Sequence, residues 1–493
     1  MAIRKINSRS ISDGTVAAAD IIDASVTTAK IQDSAVTLAK LSATGTADST
    51  KFLRGDNSWQ VVSVTPTAVS DQANTSTGYF DVPSGTTAQR PVSPTSGAIR
   101  FNTSNASLEF FDGTTWISTN LIPYINSLTG TIYAGITTTL SFSLTSYTDT
   151  ITVRFAKSGT TLKDVTGVTV SGGSTSVAVP SEVYSQTTGD TINVSVINQD
   201  GTPSSNAISK VIVGLPTGGT ISTSGGYRYH AFTTSGTFST VGYAGSVNYL
   251  IVAGGGGGGG YNGGGGGGAG GYIAGTATVS ASTTLSTTIG GGGAGGTNSG
   301  SGATSDGGTS GTDTSVSGFL TATAVGGGGG GGAANTPSYQ AAKSGGSGGG
   351  ATGSNTLVVN AGANGTVGQG NAGGSGYHYG GYQISGGGGG GYGAVGSAGS
   401  QTTTGKGGDG GVGGQWLNGS YYAGGGGGGT HAIGTSAGAG GNGGGGNGTY
   451  LNNSVGSNGS PNTGGGGGGS GNSGYGPYSG GSGIVIVRYA IPS

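Results

Sequence analysis

Between Gly254 and Gly271 the chain reads GGGGGGGYNGGGGGGAGG, and only Tyr261, Asn262 and Ala269 carry a side chain. Glycine loses more conformational freedom on ordering than any other residue, and fixing one backbone costs about 1–2 kcal/mol. Such a run is either never ordered or held by something other than a side-chain core. Further runs occupy 326–332, 386–391, 424–429, 443–446 and 464–469. Of the 119 glycines in 493 residues, 23 precede residue 251 and 96 follow it, so two materials are joined end to end.

What surrounds the runs argues for order. VNYLIVA (247–253) and GIVIVRYAI (483–491) bracket them and read as paired strands of one small sheet. After residue 250 the charged side chains are Lys343, Lys406, Arg488, Asp306, Asp313 and Asp409, beside 13 tyrosines. A solvated disordered tail has the opposite balance. Collagen is excluded, because no Gly-X-Y period exists and only four prolines follow residue 250. The ordered alternative is a bundle of extended helices with three residues per turn, the glycine form of polyproline II. Such a helix makes no internal hydrogen bond, so each backbone group must reach a neighbour.

Non-glycine residues are then expected where helices reverse, with alternate turns gathered at one end. The candidate binding residues are the turn residues Tyr261, Asn262, Tyr377, His378, Tyr379, Tyr382, Trp416, Tyr421 and Tyr422. Tyrosine with small polar residues is the composition of recognition loops.

Upstream, DGTVAAADII, DASVTTAKIQ and DSAVTLAKLS form a ten-residue repeat starting at Asp13, Asp23 and Asp33. It aligns Val16, Val26 and Val36, then Ala19, Ala29 and Ala39, then Ile21, Ile31 and Leu41. So few apolar residues bury no core alone, and the repeat must stack on neighbours or on other copies. The repeat reads as a thin fibrous assembly segment within a first region bounded at 1–60, a single amphipathic helix being the alternative. Arg54-Gly55-Asp56 matches an integrin-binding tripeptide, but a Gly-Asp turn ahead of Trp59 accounts for it.

Residues 61–120 form a small β-meander, with strands at 98–102, 108–111 and 114–118. Ile99 and Phe101 alternate around Arg100, and Leu108 and Phe110 around Glu109. Each strand thus has one apolar face, expected to close against identical chains. Residues 121–214 alternate with period two between turns, the pattern of an immunoglobulin- or fibronectin-type β-sandwich. LPTGGT marks a linker at 215–224, and 225–493 is the glycine-rich module. The expected fold class is all-β, multidomain and fibrous.

The charge balance, 17 basic against 18 acidic residues, gives no track for nucleic acid. There is no cysteine, no apolar run long enough to enter a membrane, and no apolar h-region in MAIRKINSRSISDG. Glycoside hydrolysis normally needs two carboxylates about 5–9.5 Å apart. The only glutamates, Glu109 and Glu182, fall on apparent strands and read as exposed. His230, His378 and His431 have no metal-ligand spacing. No catalytic residue, cofactor or metal is expected.

ISDGTV…TTAKI…TLAKLSATGTADSTKFLRGDNSWQ resembles the N-terminal part of tailed-bacteriophage fibres. TTAQRPVSPTSGAIRFNTSNASLEFFDGTTWIS resembles a short module common in the same proteins. VNYLIVAGGGGGGGYNGGGGGGAGGY, ending in GSGIVIVRYA, is similar to the glycine-rich domain of phage tail fibres, cyanophage ones among them. A polyglycine-helix bundle is known for tail-fibre tip adhesins and for the glycine-rich domain of certain receptor kinases. The resemblance implies a homotrimeric fibre in the virion, made in the host cytoplasm. The resemblance gives residues 1–60 the anchoring and trimerisation role. A virion tail or baseplate protein would hold its N-terminus, and its C-terminal tip would meet a bacterial surface glycan or outer-membrane protein. A passive spacer or coat protein, with the glycine bundle as a stiff rod, is the alternative.

Overall fold

Outside the glycine runs, β-branched and aromatic residues alternate between Gly, Asn and Asp turns, and the computed structural model is accordingly nearly all β. It describes residues 17, 19, 21, 25–31, 35, 37, 44–46, 48–61 and 82–492, apart from 105–106, 119–122, 146–149, 200, 202, 205, 298–305, 333–339, 354–358, 380–382, 403–404, 432–435, 452–455 and 473–475. Two compact units result, Met1–Val82 and Pro83–Ser493. Among the described residues no helix is long and apolar enough to cross a membrane.

In the first unit, Lys51–Leu53 pairs antiparallel with Trp59–Val61. Asp56 accepts from the Ser58 N–H at 3.1 Å and the Ser58 hydroxyl at 2.7 Å, and Asn57 takes a φ of 61°. Arg54-Gly55-Asp56 therefore builds the hairpin turn. Of the repeat, Ile21, Val26 and Ile31 are exposed; Val16, Val36, Ala39 and Leu41 lie outside the described residues.

The second unit opens with a four-stranded sheet of Ser84–Gly85, Ile99–Asn102, Ser107–Phe111 and Trp116–Ser118. Its buried face is the polar one. Arg100, Asn102, Ser107 and Glu109 are buried, while Ile99, Leu108, Phe110 and Ile117 are 36–55% exposed. The structure thus corrects the expectation that Glu109 is exposed. The reason is the turn Thr87–Gln89, which ends at Arg90. Arg90 Nη2 donates to Glu109 Oε2 at 2.6 Å, Asn102 Nδ2 donates to the same oxygen at 3.0 Å, and Arg100 Nε lies 3.5 Å from Oε1. Burial pushes the Glu109 carboxyl up. The hydrogen bonds from Arg90 and Asn102 and the charges of Arg90 and Arg100 outweigh it, so it stays below its ordinary value.

Residues 125–213 form a two-layer sandwich. One sheet orders Thr160–Thr169, Thr150–Lys157, Thr191–Ile197, Ile208–Val213 and Ile132–Tyr133; the other orders Ser174–Ala178, Thr139–Leu144 and Ile125–Thr129. Alternation places Leu140, Phe142, Ile151, Val153, Phe155, Ile192, Val194 and Val196 in one core. Glu182 is corrected from a strand to the short helix Ser181–Tyr184, where its carboxylate pairs with Lys163 on the surface. The segment expected as a linker at 215–224 contains the strand Thr220–Ser224, because Gly225 and Gly226, both at positive φ, return it as a hairpin onto Tyr227–Phe232.

That strand edges a five-stranded antiparallel sheet: Thr220–Ser224, Tyr227–Phe232, Ile484–Ala490, Gly245–Val252 and Tyr272–Val279. The two bracketing segments pair directly, from Asn248 opposite Arg488 to Val252 opposite Ile484. One face, with Val247, Ile251, Val485, Val487 and Tyr489, shares a core with Phe238, Leu285 and Val316 of a four-stranded sheet. The other face presents Leu250, Val252, Ile484 and Ile486 towards the glycine segments.

Between these strands the chain runs away from the sheets and back repeatedly. Residues 254–260 show the rule. Gly254, Gly257 and Gly260 donate to Thr312, Thr309 and Asp306; Gly255 and Gly258 to Gly481 and Tyr478; Gly256 and Gly259 to Gly268 and Gly265, all between 2.6 and 3.2 Å. Their carbonyls accept with the same period, Gly254 and Gly257 from Gly327 and Gly330, Gly255 and Gly258 from Gly293 and Gly296, Gly256 and Gly259 from Gly467 and Ser470. Successive residues thus point to three different neighbours, the period of an extended three-fold helix rather than of a β-ladder. The segment bonds to six others. The donors reach three antiparallel neighbours and the acceptors three parallel ones.

A Cβ added at any of Gly254–Gly260 would collide with a neighbouring carbonyl oxygen, well inside 3.0 Å. Segments with fewer neighbours keep side chains at every third residue. Lys406 and Val412 are exposed and Asp409 half-buried, while Gly405, Gly407, Gly408, Gly411 and Gly413 are buried. Side chains are therefore not confined to the turns.

Two outcomes follow from these packings. Gly258→Ala should destabilise the bundle by at least the ~1–3 kcal/mol of an overpacked core, whereas Val412→Ala should stay within about 0.5 kcal/mol, read by thermal melts. For Glu109, the depressed folded pKa means its contribution is complete above the unfolded value near ~4.3 and is lost as pH falls through the folded one. Glu109→Ala should remove about 3–5 kcal/mol at pH 7 by leaving buried guanidinium uncompensated, and acid titration of the melt should show a shallower dependence in the variant.

Candidate functional site

An interior of backbones has no room for large side chains, so those must lie on the periphery or at the reversals. The reversals separate into two sets. At the end remote from the sheets, Tyr261 and Asn262 join the first two segments, with Tyr261 at a φ of 60° and Gly263 at 68°. A small three-stranded sheet of Tyr377–His378, Ile384–Ser385 and Thr430–His431 caps the same end. Ile384 is buried, and its side chain occupies the space a Cβ on Gly263 or Gly353 would need. Thr430 donates to the Ile384 carbonyl at 3.2 Å, which ties two reversals together.

The sequence candidates divide between the ends. Tyr261, Asn262, Tyr377, His378 and Tyr379 share the remote end: Asn262 is buried, Tyr261, Tyr377 and His378 are half-buried, and Tyr379 is 55% exposed. Tyr382 lies outside the described residues. Trp416, Tyr421 and Tyr422 sit at the opposite end, on the hairpin pairing Gly414–Gln415 with Tyr421–Tyr422. Trp416 is only 5% exposed and meets Tyr229 edge to face at 6.3 Å. Tyr422 is buried in the same cluster, and Tyr421 faces outward. The candidates, expected together at one end, thus divide between both, and Trp416 and Tyr422 are buried because their hairpin lies beside a sheet face carrying Leu250 and Ile486.

The sheet-side end holds residues that the turn rule missed. Arg488 stacks over Tyr227 at 4.0 Å and donates to Tyr229 Oη at 3.1 Å, to the Leu417 carbonyl at 3.0 Å and to Asn248 Oδ1 at 3.2 Å. Tyr272 stacks on Tyr392 at 4.1 Å. Burial, reinforced by Tyr392 and Tyr422, pushes the Tyr272 hydroxyl up to about 12, so it stays neutral. The signal was legible: Ile484, Ile486 and Arg488 share one parity on their strand.

Residues 233–490, more than half of the chain, match the family model for the glycine-rich domain. The chain belongs to the glycine-rich domain family. A search of curated proteins found no match. Among the described residues of the glycine-rich domain and the rest of the chain, no three His, Cys, Asp or Glu side chains group as a metal site.

The division between ends predicts opposite responses. Tyr379→Ala, at an exposed site, should leave the melting of the glycine-rich domain unchanged within about 0.5 kcal/mol, while Trp416→Ala should remove about 3–5 kcal/mol. Paired thermal melts read both.

Proposed function

We propose that this chain is a non-enzymatic virion tail fibre protein whose remote end binds a bacterial surface. In this reading the N-terminal segment is the anchor, which a virion tail or baseplate protein holds, an immunoglobulin- or fibronectin-type sandwich is a spacer, and a polyglycine II bundle carries the tip. The observation that carries it is the exposed Tyr379 beside Tyr261, Tyr377 and His378 at the end of the bundle farthest from the sheets. A surface glycan or outer-membrane protein is the receptor class, and the candidate contacts narrow to these residues.

The partner chains are two further copies. The apolar face of Ile99, Leu108, Phe110 and Ile117 gives each copy a patch to close against the others, as do Ile21, Val26 and Ile31 of the repeat. Three tips on one fibre convert weak single contacts into avidity. The buried positions of Trp416 and Tyr422 favour, for those two residues, a packing role in a stiff stem.

The test uses fluorescently labelled full-length protein on a panel of bacterial cells. Binding to at least one strain should fall tenfold or more in Tyr379→Ala combined with Tyr377→Ala, with the melting temperature unchanged. Undiminished binding would place the contact elsewhere, and no binding to any strain would favour the passive rod. Leu108→Glu with Phe110→Glu should convert the trimer to monomer in light scattering.

A further inference from the structure

The hairpin at 414–422 does not cover the whole sheet face beneath it. Beyond it lies a groove of about 300 Å³ lined by Asn248, Tyr272, Ala274, Thr276, Gln415, Trp416 and Leu417 among others. One wall is the edge strand Tyr272–Val279, where Tyr272, Ala274 and Thr276 share the sheet face of Val252, Leu250 and Asn248, with Tyr272 buried and Ala274 and Thr276 exposed. The other wall is the hairpin, with Trp416 inside and Leu417, 53% exposed, at the lip.

The polar groups of this groove are neutral and only partly used. Asn248 Nδ2 donates one hydrogen to Thr276 Oγ1 at 2.9 Å, and Asn248 Oδ1 accepts from Arg488. A second Asn248 N–H and the Thr276 hydroxyl hydrogen remain to donate. Gln415 Nε2 donates to the Gly419 carbonyl at 3.0 Å, which leaves Gln415 Oε1 to accept. Among the described residues that line the groove none is charged; the Arg488 guanidinium, stacked on Tyr227 and Tyr229, lies directly behind it, 5.8 Å over the Trp416 ring and hydrogen-bonded to Asn248 and the Leu417 carbonyl.

We infer that this groove is a binding site for a neutral saccharide unit. Two donors and an acceptor match the vicinal hydroxyls of a pyranose, which both accept and donate. Exposed Leu417 and Ala274 supply the apolar surface on which the C–H face of a sugar packs, over a floor that the buried Trp416 and Tyr272 close. The volume suits one or two rings. The site is separate from the remote-end residues, so it holds whether or not those bind cells.

Isothermal titration calorimetry of the full-length protein tests it, with methyl α- and β-glycosides of glucose, galactose, mannose and N-acetylglucosamine and their disaccharides as probes. At least one probe should bind with millimolar or tighter Kd. Thr276→Val and Gln415→Ala should each weaken that binding fivefold or more without moving Tm, and Tyr379→Ala should leave it unchanged. Absence of binding across the panel would overturn the inference, as would binding indifferent to both groove variants. Cell binding is a separate readout: loss of one with retention of the other identifies which reading has failed.

Discussion

The glycine-rich domain rests on hydrogen bonds between backbones that approach with no side chain between them. An intramolecular hydrogen bond contributes about 0.5–1.5 kcal/mol net, the same order as the backbone entropy lost per residue. The bonds therefore have to be close to complete, and at 254–260 every N–H has a partner. Close approach adds dispersion and Cα–H contacts to carbonyls. A single Cβ inside the array removes both gains by forcing neighbours apart. The sheets matter for the same reason, since the strands Gly245–Val252 and Ile484–Ala490 fix where the segments start and end.

Much of this was legible in the residues. The bracketing strands and their alternation, the sandwich strands and the meander strands follow from period two and turn chemistry. The glycine runs foretold extended segments bonded to one another. Less visible was depth. Uninterrupted runs such as 254–260 take six neighbours, whereas KGGDGGV at 406–412 shows one side chain per turn and belongs outside. That spacing was present in the sequence. It is a signal only once the lattice is known.

The candidate site was half legible for a related reason. A turn residue looks the same at either end of an up-and-down bundle, so Trp416 and Tyr379 could not be told apart by composition. What separates them is the sheet under one end, whose apolar face buries Trp416 and Tyr422. The meander misled in a different way. Alternation tells which residues share a face but not which face is inside. There Arg90 closes over Glu109, and the charged side becomes the core.

An array stabilised by backbone contacts also has an unusual thermal character. The heat capacity of unfolding comes from exposing apolar surface and is reduced by exposing polar groups. The interior at 254–271 offers almost only peptide groups and Cα hydrogens, so its contribution per residue falls below the ordinary ~12–15 cal/mol/K. The stability curve of the glycine segments is then flatter than that of the sandwich beside them. Cooling, which weakens an apolar core, then costs these segments less stability per residue than it costs the sandwich.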